Sequence, residues 1–308
     1  MMKGTLKRAE IMEPGLTAEI IPIIVDKAVK KYKIDAVTAS GIVMETMETH
    51  PKFMQLVKQG TPLKEILKTR VYSDVEKKAQ RRIYYELRQY QKDIKNRESL
   101  IAALSTLPTA SGSAYKDIIT QLVQSHISTH ERLNSLDIFY PELFKYIGLS
   151  GQAISIVDIG CGLHPLLFPF AERESGITSY AALDKDKTCI SVLEAFSSTL
   201  NKNIIYPMHW NIKDRWRTVQ EKSGILRFDV AFLMKVVPAV FRIQRDLLPI
   251  LLETPAEIWI ITGSRTSMTK YVNIEKREKK IIKQFIDQSG KQIRGEFSTD
   301  DEFCFIVK

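Results

Sequence analysis

Asp158, Gly160 and Gly162 stand together where the apolar run "ISIVDIGCG" ends. A strand followed by a glycine turn lets a ligand approach the backbone closely, because glycine has no side chain and tolerates unusual backbone angles. The order acid-x-Gly-x-Gly differs from the Gly-x-Gly-x-x-Gly of dinucleotide folds, which places a pyrophosphate on a helix N-terminus. An acid at that position would repel a pyrophosphate and would suit a ligand with a cationic amino-acid group.

Two further polar residues close the apolar runs that follow. Asp184 ends "SYAALD", where an acid can accept hydrogen bonds from both hydroxyls of a ribose. Asn211 follows "IIYPMHW", at a position suited to the edge of an adenine. Simpler roles stay open, because Asp184 is also a candidate helix N-cap and Asn211 a candidate turn residue.

An amino-acid group, a ribose and an adenine occur together in S-adenosylmethionine (SAM), so the pattern favours SAM over NAD. Cys161 lies inside the turn and is interpreted as a small packing residue rather than a nucleophile. The residues of the predicted cofactor site that follow from these strand ends are Asp158, Gly160, Cys161, Gly162, Asp184, Asn211 and Met234.

The elements that would position this site alternate between strands and helices after residue 150. The strand-like runs are "AISIVDIG", "SYAALD", "IIYPMHW", "FDVAFLM", "EIWIITG" and "DEFCFIVK". Helical stretches separate most of them, and one begins at "HPLLFPFAER". This alternation predicts an α/β fold with a parallel, doubly wound, Rossmann-like sheet and a late antiparallel addition. Ligands of such sheets bind outside the carboxyl ends of the strands, near the point where strand order reverses.

Residues 17–104 are predicted to be helical, from apolar residues at mixed spacings of three and four. In "YSDVEKKAQRRIYYELRQYQKDIKNRE", Ser73 and Glu76 form a Ser-x-x-Glu capping box that predicts a helix N-terminus. A buried stripe is predicted to follow it, formed by Val75, Ala79, Ile83, Leu87, Tyr90 and Ile94. The small, polar segment 105–115 predicts a linker.

The net charge of +9 is unevenly distributed, since residues 1–115 carry 20 Lys and Arg against 13 Asp and Glu. A basic first third favours a polyanionic partner such as RNA, although a solvated helical surface would also explain it. We therefore expect an N-terminal helical RNA-docking domain over 1–110 and a SAM-dependent methyltransferase domain over 111–308. The candidate RNA-binding residues of the first domain are Lys77, Lys78, Arg81, Arg82, Arg88 and Lys92.

Three stretches carry a family resemblance, namely "HISTHERLNSLDIFYPELF", "IVDIGCGLHPLLFPF" and "FDVAFLMKVVPAVFRIQRD". They resemble the aminoglycoside-resistance 16S ribosomal RNA guanine-N7 methyltransferases (the Arm/Kgm group), and the likeness covers roughly residues 60–308. It implies that Arg132 binds the methionine carboxylate of SAM, that Asp184 holds the ribose and that Asn211 lies near the adenine. It also implies that the helical domain docks on the small ribosomal subunit.

Three cations near the strand ends are further RNA-binding candidates. Lys235 follows the fourth strand and could contact RNA phosphate or base, or could be a solvated strand-end lysine. Arg265 and Lys270 lie in "TGSRTSMTKYVNI", the counterpart of a family loop that borders the target nucleotide. Lysines of the following basic helix, "NIEKREKKIIKQFIDQSG", are an additional possibility for RNA contact, partly offset by two glutamates.

This chain departs from the family pattern at two places. His164-Pro165 replaces the usual Asn-Pro, and the 262–274 loop lacks the family's Phe-Pro and Gly-Met. The identity of the target base therefore stays open. The alternatives are a housekeeping methylation of another ribosomal or transfer RNA nucleotide, and a catalytically inactive RNA-binding protein.

Guanine N7 is a lone-pair acceptor without a proton, so its methylation needs positioning rather than a general base. We accordingly assign no catalytic side chain. The family resemblance implies N7 methylation near the decoding site, with aminoglycoside resistance as its outcome. His126 is predicted to pack or cap rather than to bind a metal. Three scattered cysteines form neither a zinc spacing nor a disulfide framework. We expect no metal, membrane span or signal peptide, and a cytoplasmic monomer acting on 16S rRNA in the 30S subunit.

Overall fold

The computed structural model describes most of the chain. The described residues are 14–32, 36–85, 96–107, 111–147, 153–170, 176–200, 204–267 and 272–308. Contacts between residues divide the chain into two compact units, Met1–Gln89 and Tyr90–Lys308. No helix within the described ranges combines the length and apolar character needed to span a bilayer.

The first unit is helical. Its helices are α1 (Pro14–Tyr32), α2 (Ala36–Glu48), α3 (Pro51–Lys58), α4 (Leu63–Ile66) and α5 (Arg70–Ile83). They bury one apolar cluster in which Ile24, Val43, Phe53 and Val75 are fully buried. Burial of these side chains, rather than helix propensity alone, stabilises helices this short.

Helix α5 begins earlier than the sequence pattern predicted. Thr69 is its N-cap, and its Oγ1 accepts a hydrogen bond of 3.1 Å from the backbone N–H of Tyr72. The predicted capping box at Ser73 and Glu76 is therefore wrong, because the chain already satisfies its first free N–H groups one turn earlier. The first part of the predicted stripe is confirmed, with Val75, Ala79 and Ile83 buried. Its other members, Leu87, Tyr90 and Ile94, lie outside the described residues.

The second unit starts with helices that precede the sheet. They are α6 (Arg97–Ser105), α7 (Gly112–Gln124), α8 (Ile127–Arg132) and α9 (Leu136–Ile147). Leu104 of α6 is fully buried in the same apolar cluster as the first strand of the sheet. The division of the chain consequently falls before α6, earlier than the boundary at 110 expected from the polar segment.

Within the described ranges, seven strands form one sheet in the order β3-β2-β1-β4-β5-β7-β6. The strands are β1 (Ile154–Ile159), β2 (Ile177–Asp184), β3 (Ile205–His209), β4 (Phe228–Met234), β5 (Ala256–Ser264), β6 (Ile293–Ser298) and β7 (Glu302–Val307). The first five are parallel, and β7 runs antiparallel between β5 and β6. The predicted Rossmann-like fold with a late antiparallel addition is confirmed.

Helices cover both faces of this sheet. The helices within or after the parallel part are α10 (Lys187–Ser197), α11 (Arg215–Ser223), α12 (Val236–Ile243), α13 (Leu248–Leu252) and α14 (Glu275–Ser289). One face of β1 packs through Ile156 against the cluster of α9 and α10, and the other packs through Val157 against α11 to α14. Where "HPLLFPFAER" is described, His164–Leu167 form a short 3-10 turn and Phe170 is helical; its last three residues, 171–173, lie outside the described residues.

Strand order reverses between β1 and β4, because the chain proceeds from β1 outward through β2 and β3 and then returns to the other side of β1. At such a reversal the loops after the two central strands part and leave a crevice. The acid–glycine turn after β1 and the segment after β4 both border this crevice.

Candidate functional site

The glycines of the turn after β1 are required by conformation and by space. Gly160 and Gly162 have φ values of +61° and +52°, the left-handed region that side chains disfavour. A Cβ on Gly162 would lie 2.3 Å from Cε1 of His126, and a Cβ on Gly160 would lie 3.0 Å from Cγ2 of Val236. The turn is therefore a tight cradle between the loop before α8 and the start of α12.

His126 is the N-cap of α8, as predicted, and its ring lies against the turn. Its Nδ1 accepts a hydrogen bond from the backbone N–H of Thr129 and lies 2.8 Å from the Thr129 hydroxyl. Burial lowers the pKa of His126 from 6.5 to about 4, so the imidazole is neutral at physiological pH. A neutral ring against Gly162 gives the cradle a wall without adding charge.

Asp184, the last residue of β2, joins two backbone segments through its carboxylate. Oδ2 accepts from the N–H of Gly162 at 2.7 Å, and Oδ1 accepts from the N–H of Asp186 at 2.8 Å. The alternative N-cap role is wrong, since Asp186 caps α10 by accepting from the N–H of Thr188. Burial raises the pKa of Asp184 from 3.8 to about 6, even though these N–H groups favour the charged form. Asp184 thus fixes the glycine turn relative to the end of β2.

Asp158, near the end of β1, is fully buried with unequal surroundings for its two oxygens. Oδ2 accepts from the Tyr180 hydroxyl and lies 2.7 Å from Nδ1 of His164. Oδ1 is buried and finds no hydrogen-bond partner among the described residues. Such an oxygen is costly unless a donor reaches it, so the carboxylate fits the cationic group of a ligand. The described part of the chain holds no cluster of three or more side chains placed to bind a metal ion.

Arg132, at the end of α8, makes a bidentate ion pair with Glu302, a residue outside the set predicted from the sequence. Its Nε and Nη2 lie 2.5 and 2.9 Å from the carboxylate of Glu302, and both side chains are only 2% exposed. Burial opposes the charge of Glu302, but the adjacent Arg132 lowers its pKa from 4.5 to about 2. The pair uses Nε and Nη2 of the guanidinium, and the binding of the methionine carboxylate by Arg132 stays a prediction. An acid inside the apolar strand "DEFCFIVK" was the signal that could have indicated Glu302.

Lys235, directly after β4, is neither exposed nor regular in conformation. It has a φ of +61°, is 8% exposed, and its Nζ lies 2.7 Å from Oε2 of Glu131. The alternative of a solvated strand-end lysine is therefore wrong. A non-glycine residue held in the left-handed region at a strand end is a common feature of functional sites. Met234, one residue earlier, is also buried at this strand end.

The two remaining cofactor candidates show structural roles. Asn211 caps a short 3-10 turn, with its Oδ1 accepting from the N–H of Lys213 at 3.1 Å. This is the alternative turn role, and the adenine role stays a prediction. Cys161 is 4% exposed, and burial raises its pKa well above the ordinary value. A buried thiol with a raised pKa is a packing group, which agrees with its interpretation in the sequence.

The RNA-binding candidates of α5 divide into exposed and paired side chains. Arg82 turns toward α2, with Nη2 3.0 Å from Oε2 of Glu45 and Nη1 3.1 Å from Oγ1 of Thr46. The side chains that point to solvent, here named the exposed α5 cations, are Lys77, Lys78 and Arg81. The candidates Arg88 and Lys92 lie outside the described residues.

The loop after β5 is tied down by Arg265. Its Nε pairs with Oε2 of Glu275 at 2.9 Å, and its Nη1 donates to the backbone carbonyl of Thr299 at the same distance. Arg265 thus has a structural role between α14 and the β6–β7 turn, and its RNA contact stays a prediction. Lys270 lies outside the described residues.

On α14, Lys279 pairs with Glu275 and Glu296, and its side chain is 27% exposed. Three other lysines of the helix, Lys276, Lys280 and Lys283, are exposed at spacings of four and three, which places them on one face.

A parallel sheet with an acid–glycine turn at its strand reversal is a Rossmann-like fold, and solved structures share this fold. The 16S rRNA methyltransferase RmtF in complex with S-adenosyl-L-homocysteine aligns with a TM-score of 0.61 at 17% identity, over 94% of this chain and 97% of that chain. An rRNA methylase from Escherichia coli aligns with a TM-score of 0.57 at 17% identity, over 94% of this chain and 99% of that one.

The chain belongs to the ribosomal RNA methyltransferase (FmrO) family, whose profile matches residues 67–249. This confirms the family resemblance found in the sequence. It is similar to a 16S rRNA (guanine(1405)-N(7))-methyltransferase of Proteus mirabilis, 35% identical over 86 residues, which are 28% of this chain and 30% of that protein. A protein of the same name from Micromonospora olivasterospora is 31% identical over 102 residues, or 33% of this chain and 31% of that protein. The matched stretches thus span about a third of these curated relatives.

Proposed function

We propose that this protein transfers the methyl group of SAM to N7 of a guanine in the decoding region of 16S rRNA within the 30S subunit. Membership of the ribosomal RNA methyltransferase family supports the class of reaction. The relatives named as guanine-N7 methyltransferases support the choice of base and of RNA. A methyl group and its positive charge at that site would obstruct a cationic drug, so the expected outcome is aminoglycoside resistance.

The cofactor assignment rests mainly on one observation: the Asp184 carboxylate accepts a hydrogen bond of 2.7 Å from the backbone N–H of Gly162 in the glycine turn. This hydrogen bond holds the glycine turn, where no side chain obstructs a ligand, next to an acid suited to ribose hydroxyls at the reversal of strand order. Around it, Arg132 would present its guanidinium, held by Glu302 through Nε and Nη2, to the carboxylate of SAM, and Asp158 would present a buried carboxylate oxygen to the ammonium. The residues present therefore fit the ribose, the carboxylate and the ammonium of SAM.

When bound, SAM supplies an electrophilic methyl group on a sulfonium, and the N7 lone pair forms the new bond as the carbon–sulfur bond breaks. The protein needs to remove no proton from N7. Its residues can contribute by orienting both reactants and by excluding water, which is where most of the rate enhancement of such a step can arise. The neutral His126 and the paired Lys235 fit this role, because neither needs to act as a base.

The target RNA is expected to meet both units of the chain. The exposed α5 cations lie on the helical unit, where their charge can neutralise phosphates of the ribosomal RNA. The second candidate function, methylation of another RNA nucleotide, rests on the 262–274 loop. That loop departs from the family pattern, and its Arg265 is held by Glu275 and Thr299.

Incubation of purified 30S subunits with radiolabelled SAM, followed by strand-scission mapping of N7-methylguanine, tests the proposal. We expect one modified guanine in the decoding-site helix, and no incorporation by Asp184→Asn. Incorporation into 23S or transfer RNA but not into 30S subunits would support the second candidate function. No SAM binding by the purified protein would contradict both.

A further inference from the structure

Asp158, the buried acid before the glycine turn, is held by two side chains, and a third side chain holds one of these two; the proposed function assigns no role to the three. His164 Nδ1 and the Tyr180 hydroxyl both lie 2.7 Å from Oδ2 of Asp158. The other ring nitrogen of His164, Nε2, lies 2.9 Å from the hydroxyl of Tyr140 on α9. All four side chains are at most 5% exposed.

We propose that Tyr140, His164 and Tyr180 are positioning residues that fix the Asp158 carboxylate so that its Oδ1 receives the ammonium group of the SAM methionine. The inference rests on the proposed function for the identity of the ligand. It goes beyond it in assigning a binding role to His164, which stands where the family usually has asparagine, and to the two tyrosines.

The asymmetry of the carboxylate is the first argument. Within the described part of the chain both donors go to Oδ2, and Oδ1 is buried with no partner. A buried carboxylate oxygen that lacks a donor is destabilising, and a structure that only needed to neutralise Asp158 would share its donors between the oxygens. An ammonium group is a donor of the opposite charge, so it satisfies the bare oxygen and the carboxylate charge together.

The second argument is that the hydrogen bonds and ring contacts of His164 restrict the orientation of the Asp158 carboxylate. A His164 that donates from Nδ1 to Asp158 must, when neutral, accept at Nε2, which makes Tyr140 the donor to it. The His164 ring also stacks on Tyr140, with centroids 6.2 Å apart and planes 16° apart, and meets Phe232 edge-on at 5.5 Å. Asparagine has a shorter side chain and no second ring nitrogen, so it cannot bridge Asp158 and Tyr140 in this way.

The third argument is the position of the acid. Asp158 lies two residues before Gly160, in register with Ala182 of β2 and Phe232 of β4. It therefore lies near the end of β1, one of the two strands whose ends flank the reversal of strand order. The charge of Asp158 also acts on Arg132, so both polar groups expected to meet the methionine lie in one buried cluster.

The test is isothermal titration calorimetry with two ligands, S-adenosylhomocysteine (SAH) and its desamino analogue, in which hydrogen replaces the ammonium group. The variants are Tyr140→Phe, Tyr180→Phe and His164→Gln, and Tyr146→Phe on the exposed side of α9 is the matched control. Thermal unfolding of each variant checks that it is folded. Tyr140→Phe removes a single oxygen atom, so it remains informative where a histidine substitution fails to fold.

We expect each network variant to bind SAH roughly tenfold more weakly, as expected when one hydrogen bond to a charged group is misaligned, with little change for the desamino analogue. The wild type should prefer SAH over the analogue, and Tyr146→Phe should keep that preference. An equal loss for both ligands, or no loss for either, would overturn the positioning role while leaving the proposed function intact. A wild-type protein that binds neither ligand would overturn the proposed function as well.

Discussion

Replacing Glu302 with glutamine should destabilise the second unit by about 3–5 kcal/mol, because it leaves Arg132 charged and buried without its partner. The pKa of Glu302 provides a second way to estimate this loss of stability. A fall from 4.5 to about 2 corresponds to roughly 3 kcal/mol of stabilisation by the pair at neutral pH. Glutamine keeps the volume of the side chain, so the loss reports charge rather than packing.

The assay is urea unfolding followed by tryptophan fluorescence. All three tryptophans, Trp210, Trp216 and Trp259, lie in the second unit, so the signal isolates the unit that holds the pair. Glu257→Gln is the matched control on the same sheet, since Glu257 pairs with Lys308 at the surface, where a pair contributes about 0–1 kcal/mol.

The dependence on pH and on a second substitution sharpens this prediction. Because the folded-state pKa of Glu302 is depressed, its stabilisation is complete above pH 4.5 and is lost as the pH falls toward 2. The difference between wild type and Glu302→Gln should therefore shrink in acid. Arg132→Met in the Glu302→Gln background should recover part of the loss, since it removes the uncompensated charge. If Glu302→Gln costs no more than Glu257→Gln, the reasoning about the buried pair is refuted.

Three further predictions concern the cofactor turn and RNA binding. The affinity of the wild type for SAM should fall as the pH drops below about 6, where Asp184 takes up a proton. Asp184→Asn should bind SAM weakly, and its affinity measured by calorimetry should depend little on pH. A wild-type affinity that stays unchanged between about pH 5 and pH 7.5 would contradict this prediction. Gly162→Ala should reduce stability by about 2–5 kcal/mol, from left-handed strain and from the clash with His126, and an unchanged melting temperature would count against the tight turn. Neutralising the exposed α5 cations should weaken binding to 30S subunits. The slope of log affinity against log salt concentration should fall by about 0.7–0.9 for each phosphate that is no longer neutralised. Arg82→Gln, which breaks the pair with Glu45, should instead mainly reduce stability. An unchanged slope would exclude α5 from the RNA interface.

The parts of this molecule that the sequence predicts well are those set by local patterns. Strand β1, its glycine turn and Asp184 follow from alternation of apolar runs with small and acidic residues over short distances. The start of α5 was misplaced because Thr69 and Ser73 both satisfy the rule for an N-cap, and only the backbone decides between them. The Arg132–Glu302 pair joins residues 170 positions apart, so no local pattern could indicate it.

Helix α8 shows why such distant contacts matter for the site. Its N-cap, His126, lies against the turn after β1, and its last two residues reach two other strands: Glu131 pairs with Lys235 after β4, and Arg132 pairs with Glu302 at the start of β7. A helix of six residues is too short to be stable alone, so these three contacts determine where it sits. In return, the rigid spacing along the helix fixes the distances between the turn after β1, the segment after β4 and the start of β7. The segment "HISTHER" therefore contacts the proposed cofactor site from outside the sheet, which accounts for its place among the resemblance-bearing stretches although it precedes the first strand.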